Sequence, residues 1–166
     1  MSTGYTGPVS RQLAPTGGFR CDLCGEPIED TTAAWGQWFL QRSPHPDGKS
    51  RNWGFSIVHG EAHSVQCTLE KRNGPSIGDW QLSYLLTADG LATMMEFFVE
   101  REVDSEELCR FIMRLFVPGY EQAYRFTQYA VHEGVFELRS HPAFLSQSEI
   151  ARIIEAHREG RFDTYT

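Results

Sequence analysis

The residues best suited to chemistry in this chain of 166 residues are its four cysteines and six histidines. Cys21 and Cys24 form a Cys-x-x-Cys motif, and Gly25 follows it directly. Such a turn brings two thiolates onto one tetrahedral ion, and the glycine lets backbone N–H groups turn towards the sulfurs. A redox dithiol normally begins a helix beside a βαβ unit, whereas a β hairpin is expected to follow here, so the motif favours a metal. A structural disulfide is the third interpretation, and the absence of an export signal argues against it.

A tetrahedral site needs two more ligands, and Cys67 is the natural third sulfur. His59 and His63 compete for the fourth position. We expect His59 to be the ligand, because its side chain leaves the same face of a predicted strand as two large apolar residues that would shield a metal from water. The sequence therefore predicts a structural Cys₃His zinc site, formed by Cys21, Cys24, His59 and Cys67 with His63 as the alternative fourth ligand.

The predicted site is closed, which argues against metal catalysis. Four protein ligands leave no coordination position for water, and three thiolates outweigh the charge of Zn²⁺. The run His59-Gly60-Glu61 matches the H-x-E element of zinc deaminases, but it follows the Cys-x-x-Cys motif here and precedes it there. A ββα-metal nuclease would need a second catalytic ligand on a following helix, and none is evident. We predict no catalytic residues, and a metal-dependent hydrolase is the least favoured function.

The elements that must position the ligands begin with a β-rich segment. Aromatic and apolar residues at 35–40 predict a first strand, and prolines, an aspartate and a glycine at 42–52 mark a loop. At 53–59 the alternation of residues places Trp53, Ile57 and His59 on one face of a second strand. The two strands should form a hairpin with a long connection.

The rest of the chain shows helical periodicity. Apolar residues recur at i, i+3, i+4 and i+7 within 91–99 and again within 108–116, so each segment predicts a helix with one apolar stripe. Asp104 is placed to cap the second of these helices.

Three further helices are expected around these two. Pro118 should begin a helix that Gly134 ends, and a last helix should start with a capping box at Ser146 and stop at Gly160. A shorter helix over residues 79–87 is expected to link the β-rich and helical halves. Short connections between helices favour antiparallel packing as a small bundle.

The charge of the chain is concentrated in its second half. Lys and Arg number 15 against 22 Asp and Glu, a formal net charge of −7, and residues 76–166 carry all of this excess. An acidic half repels a phosphate backbone, which argues against broad non-specific binding to nucleic acid. No apolar run is long enough for a membrane span and no secretory signal begins the chain, so we expect a cytoplasmic protein.

The sequence predicts an α+β protein, with a zinc-clamped β hairpin followed by a small bundle of about five helices. Zinc should supply much of the stability of the hairpin, since that segment has few core residues of its own. The expected division is a flexible tail at 1–19, a zinc-binding β-rich module at 20–75, a helical acidic module at 76–160 and a second tail at 161–166.

The favoured function is that of a zinc-binding, non-enzymatic interaction protein whose acidic helical surface binds a protein partner. The alternative is a nucleic-acid-associated regulator, or an inhibitor whose acidic half imitates nucleic acid. In that alternative, direct contact with nucleic acid would fall to basic residues of the zinc-binding half, namely Arg42, Lys49, Arg51, Lys71 and Arg72.

The motifs also carry a family resemblance. The Cys21-x-x-Cys24-Gly25 turn, the strand Trp53–His59 and the later cysteine resemble the N-terminal half of a set of small uncharacterised bacterial proteins, which also have an aromatic-rich strand ending in Val-His before a cysteine. The run from Arg114 to Ala123 resembles their helical half. Over about residues 20–155, the resemblance implies a zinc-binding N-terminal half and a helical C-terminal half, and it implies no particular activity.

Overall fold

The computed structural model describes residues 18–40, 46–60, 63, 67, 77–100, 103–135, 137 and 144–162. Within these residues the chain is a mixed α+β protein with two small antiparallel sheets and six α-helices. The strands are β1 (Phe19–Arg20), β2 (Pro27–Ile28), β3 (Ala34–Phe39), β4 (Trp53–His59) and β5 (Ile77–Gln81). The helices are α1 (Leu82–Leu85), α2 (Ala88–Glu100), α3 (Ser105–Phe116), α4 (Tyr120–Tyr124), α5 (Thr127–His132) and α6 (Gln147–Arg158). A short 3₁₀ helix, Thr31–Ala33, leads into β3.

The larger sheet has the strand order β4-β3-β5, and both pairings are antiparallel. The two strands that the sequence predicts do pair with each other, with Ala34 opposite His59 and Gly36 opposite Ile57. This register places the end of β4 beside the start of β3, which is where the predicted histidine ligand lies.

The third strand of this sheet corrects the prediction of a helix over residues 79–87. Ile77–Gln81 is a strand, and only Leu82–Leu85 of the remainder forms an α-helix before α2 begins. The second edge of β3 needs partners for its backbone groups, and β5 supplies them. Trp80 also packs against Trp38, with ring centroids 5.0 Å apart, so packing across the sheet overrides the local helical pattern.

The predicted helix starts are confirmed at α3 and α6. The Asp104 side chain accepts the backbone N–H of Glu107, and Ser146 forms a reciprocal capping box with Glu149. Gly160 has a φ of 74° and follows the end of α6 closely.

The single helix predicted between Pro118 and Gly134 is instead two short helices. Gly119 precedes α4 in the left-handed region with a φ of 76°, so the helix begins after Pro118 and not at it. The helical segment is interrupted between α4 and α5. The break allows the Phe126 ring to lie flat on His157 of α6, with centroids 3.9 Å apart, an aromatic contact that sequence periodicity does not reveal.

Two hydrophobic cores share helix α3. Leu108 and Leu115 are fully buried in the first, which the sheets form with α1, α2 and α3. Met113 packs instead against the second core, which α4–α6 form around the fully buried Tyr120. The first core therefore combines residues from both sides of the expected module boundary at residue 75.

Two buried aromatic residues lie in the segments expected to be tails. Phe19 pairs with Ile28 between β1 and β2 and is only 4% exposed, and Phe162 is completely buried in the second core. Residues 1–17 and 163–166 of the expected tails lie outside the described residues.

At Gly36 the sheet and two helices approach closely. A Cβ atom there would lie 2.4 Å from Leu85 Cδ1 and 2.8 Å from Phe111 Cζ. Both neighbours are buried, so neither can move into solvent. The absence of a side chain at Gly36 is what lets α1 and α3 rest on β3.

We expect Gly36→Ala to lower the free energy of unfolding by about 1–3 kcal/mol, because it overpacks a filled core. Urea denaturation measures the loss. In a Leu85→Ala background the same substitution should cost less, because the methyl group then has space. An equal cost in both backgrounds would contradict this contact.

Candidate metal centre

The Cys-x-x-Cys motif forms a tight turn between β1 and β2. The Cys21 N–H donates to the Glu26 carbonyl and the Gly25 N–H to the Cys21 carbonyl, each at 2.9 Å. Gly25 has a φ of 79°, which residues with a side chain rarely adopt. This backbone conformation explains why a glycine follows the motif. The turn holds the two sulfurs within 4.8 Å of each other.

Asp22, inside the motif, attaches this turn to β4. Its N–H donates to the Ile57 carbonyl at 2.8 Å, and its Oδ2 accepts the Ile57 N–H at 2.7 Å. Because Ile57 lies two residues before His59, these bonds bring the cysteine turn beside the end of β4.

The structure brings all four predicted ligands together. One ligand atom from each of Cys21, Cys24, His59 and Cys67 lies within 4.8 Å of the others. Zn–S bonds of about 2.3 Å imply tetrahedron edges of about 3.8 Å, so the cluster needs only a small contraction to enclose an ion. Cys21, His59 and Cys67 are buried, while Cys24 is exposed and leaves one side of the cluster accessible. These four side chains are close enough to form a metal site.

Hydrogen bonding determines which nitrogen of His59 faces the sulfurs. Nε2 lies 3.0 Å from the Pro27 carbonyl, and Nδ1 lies 3.5 Å from the Cys24 sulfur. A carbonyl oxygen only accepts, so Nε2 carries the proton and Nδ1 presents its lone pair to the cluster. Metal-binding histidines usually donate their second N–H in this way, because it orients the ring and raises its basicity.

His63, the alternative ligand, lies against His59 and outside the set of four. The two rings stack with centroids 3.7 Å apart and an angle of 20° between their planes. His63 is exposed, and both histidines line a cleft of about 410 Å³ together with Glu26, Glu29 and Asp30. The acidic residues give this cleft a potential that attracts cations, and the His63 ring shields one face of the inner histidine.

The thiols of the cluster differ strongly in acidity. Burial works to raise the pKa of the Cys21 thiol, but hydrogen bonds from backbone groups, led by that of His59, outweigh it and lower the pKa to about 7. Burial, reinforced by the neighbouring sulfurs, raises the pKa of Cys67 to about 12. Cys21 is therefore ready to bind as a thiolate, whereas Cys67 needs the charge of a metal to lose its proton.

Comparison with protein-family models, with curated proteins and with solved structures finds no match. The chemistry of the centre is inferred from its own donor atoms.

A buried ion-pair network lies directly behind the centre and was not anticipated from the sequence. Arg114 of α3 is 4% exposed, and its Nη1 and Nη2 donate to the two carboxylate oxygens of Asp22, each at 2.8 Å. On its other side, Nε and Nη2 donate to Glu121 at 2.6 and 3.1 Å. A signal was present, because Arg114 lies three residues after Phe111 on the apolar stripe of α3, where a charge needs buried partners.

The network continues into α4 and is nearly neutral. Glu121 is 2% exposed and also accepts from Arg125 Nη2 at 2.6 Å. The Tyr124 ring lies 5.6 Å from the Arg114 guanidinium carbon, a cation–π distance. Burial alone would lower the pKa of Arg114, but the charges of Asp22 and Glu121 dominate and raise it, so the guanidinium stays charged.

We expect Arg114→Met to lower the free energy of unfolding by about 3–5 kcal/mol, because it leaves the buried Glu121 carboxylate without its main partner. Arg110→Met is the matched control, since Arg110 lies one turn earlier, forms its ion pair with the exposed Glu106 and contacts the same Tyr124 ring as Arg114 does. The control should cost no more than about 1 kcal/mol. Urea denaturation measures the free energy of unfolding of both variants. Similar decreases in the two would show that the buried ion pairs of Arg114 do not stabilise the chain.

Proposed function

We propose that this protein is a zinc-binding, non-enzymatic interaction protein, in which zinc at a Cys₃His centre has a structural role and the helical part presents a surface to a protein partner. One observation carries the proposal: three cysteine sulfurs and one histidine nitrogen, from three separate parts of the chain, lie within 4.8 Å of one another.

The donor set favours zinc. Thiolates are soft ligands and an imidazole is intermediate in softness. Tetrahedral sites with three cysteines and one histidine typically hold Zn²⁺. The hard cations Ca²⁺ and Mg²⁺ prefer oxygen ligands, which this cluster does not supply. Backbone N–H groups that donate to Cys21 are also typical of structural zinc turns, because they spread the charge of the thiolates.

Four protein ligands support a structural role. They complete a tetrahedron, so an ion there has no position for water or substrate. The ion would join the turn after β1, the end of β4 and Cys67, which are distant in sequence and share the first core. Zinc binding would thereby restrict the unfolded chain and stabilise the β-rich part.

The metal proposal is tested by elemental analysis of purified protein. We expect one zinc per chain in the parent, and a large loss of zinc in Cys24→Ser and His59→Ala, because each removes a ligand. Cys109→Ser is the matched control, as Cys109 is outside the cluster on α3. His63→Ala should also keep its zinc.

Thermal denaturation adds a second measurement, since a zinc chelator should lower the melting temperature of the parent but not that of Cys24→Ser. Parent-like zinc content in Cys24→Ser, or loss of zinc only in His63→Ala, would refute the assigned ligand set.

The partner surface that we propose is the outer face of α2. The apolar stripe predicted for this helix is only partly buried, since Met94 is 1% exposed but Met95 is 49% and Val99 81% exposed. Met95 and Val99 are one turn apart and share a face. Exposed apolar residues concentrated on one helix are typical of an interaction site.

Charge selects the class of partner for this face. Helix α2 contains Asp89 and Glu96, both exposed, and has no lysine or arginine. A second copy of the chain would bring like charges together, whereas a protein segment with apolar residues flanked by lysine or arginine would complement both features. Nucleic acid is disfavoured by the same charges, and Arg51 of the predicted nucleic-acid contacts is already paired with Asp47 and Asp104.

A synthetic amphipathic helix of leucine and lysine is the probe for this surface, with the lysines replaced by glutamate in its control. We expect fluorescence anisotropy to show binding of the lysine peptide only, and a loss of about tenfold or more in Val99→Asp, where a charge replaces an apolar contact. Phe144→Asp, which changes an exposed apolar residue elsewhere, should bind like the parent. Equal binding of both peptides, or parent-like binding by Val99→Asp, would exclude this face.

A further inference from the structure

A second cavity lies on the far side of the ion-pair network. It has a volume of about 200 Å³ and is bounded by β1, α4, the α4–α5 break and α6. The polar side chains that line it are Arg20, Glu121, Gln122, Arg125 and His157. Such a volume holds a small ion with a few waters, given that one water occupies about 30 Å³ in the liquid.

Two guanidinium groups face this cavity with donors to spare. Arg20 Nη1 donates to the Gly25 carbonyl at 3.0 Å, and Arg125 Nη2 donates to Glu121. Each guanidinium has five N–H donors, and within the described residues these are the only hydrogen bonds that either side chain makes. The remaining donors have no acceptor among the described residues and can serve a ligand that accepts.

His157 also lines the cavity. Its Nδ1 is buried without a partner among the described residues. A buried nitrogen without a partner favours the tautomer in which Nδ1 is unprotonated and Nε2 carries the hydrogen. The ring stacks on Phe126 with centroids 3.9 Å apart, so His157 contributes an ordered side chain to the cavity lining.

Glu121 does not cancel the positive charge of the cavity. Both of its carboxylate oxygens accept from Arg114, and one also accepts from Arg125. Asp22 and Arg114 form a second ion pair of the network, in which the two opposite charges cancel. Among the described residues, the network and Arg20 together supply three guanidinium groups against two carboxylates, which gives this region a positive balance within a chain whose net charge is −7.

We propose that this cavity binds a small oxyanion, a carboxylate or a phosphate group, held by Arg20, Arg125 and His157. Planar guanidinium groups recognise both kinds of oxyanion by paired charge-assisted hydrogen bonds. The site shares no lining residue with the metal centre or with the α2 face, although Arg20 directly precedes Cys21 and bonds to Gly25 of the cysteine turn. Its ligand would contact β1, α4 and α6 together.

Isothermal titration calorimetry of the full chain with inorganic phosphate and with acetate tests this inference and separates the two anions. We expect saturable binding of at least one anion at one site per chain. Arg20→Gln and His157→Phe should each weaken that binding about fivefold to tenfold, since each removes a donor and phenylalanine keeps the stack on Phe126.

Arg152→Gln is the matched control, because Arg152 is exposed on the same helix as His157, does not line the cavity and changes the net charge equally. It should bind like the parent. The proposal is refuted if neither anion saturates a site, or if Arg152→Gln weakens binding as much as Arg20→Gln does. Zinc content measured on the same samples keeps this outcome distinct from failure of the metal proposal.

Discussion

A buried guanidinium must have its charge and its donors matched by the protein, and Arg114 meets this requirement with carboxylates from two distant parts of the chain. Asp22 comes from the cysteine turn and Glu121 from the helix that follows α3, and each takes two hydrogen bonds. Leaving either carboxylate unpaired in the interior would be costly, so the turn, α3 and α4 have to be placed together. The two cores meet on α3, and this network makes a polar contact between them.

The same network gives the candidate metal centre a fixed support. Asp22 binds Arg114 through its side chain and binds β4 through Ile57, so one of the two residues between the cysteines is held from both sides. The Cys21 and Cys24 sulfurs then face His59 from the neighbouring strand. A metal ion bound there would meet a turn that is already oriented. The cationic cavity lies at the opposite end of the network, next to Glu121 and Arg125.

Local rules predicted the features whose causes are local. Asp104 and Ser146 cap helices where expected, since capping depends on a few adjacent residues. The preference for His59 over His63 agrees with the placement of the four donor atoms, because strand alternation determines the direction of a side chain. The strand at β5 and the break after α4 were missed, because partners far along the chain decide both of them.

The sequence by itself determined the types of ligand, their spacing and the faces of the main helices, because these depend on side-chain chemistry and on the fixed periods of helix and strand. Only the tertiary structure decided that β5 completes the sheet, that Arg114 joins Asp22 to Glu121, and that part of the α2 stripe faces outwards. Those outcomes depend on which surfaces meet. A stripe of apolar residues or a lone arginine is compatible with several partners until long-range packing selects one.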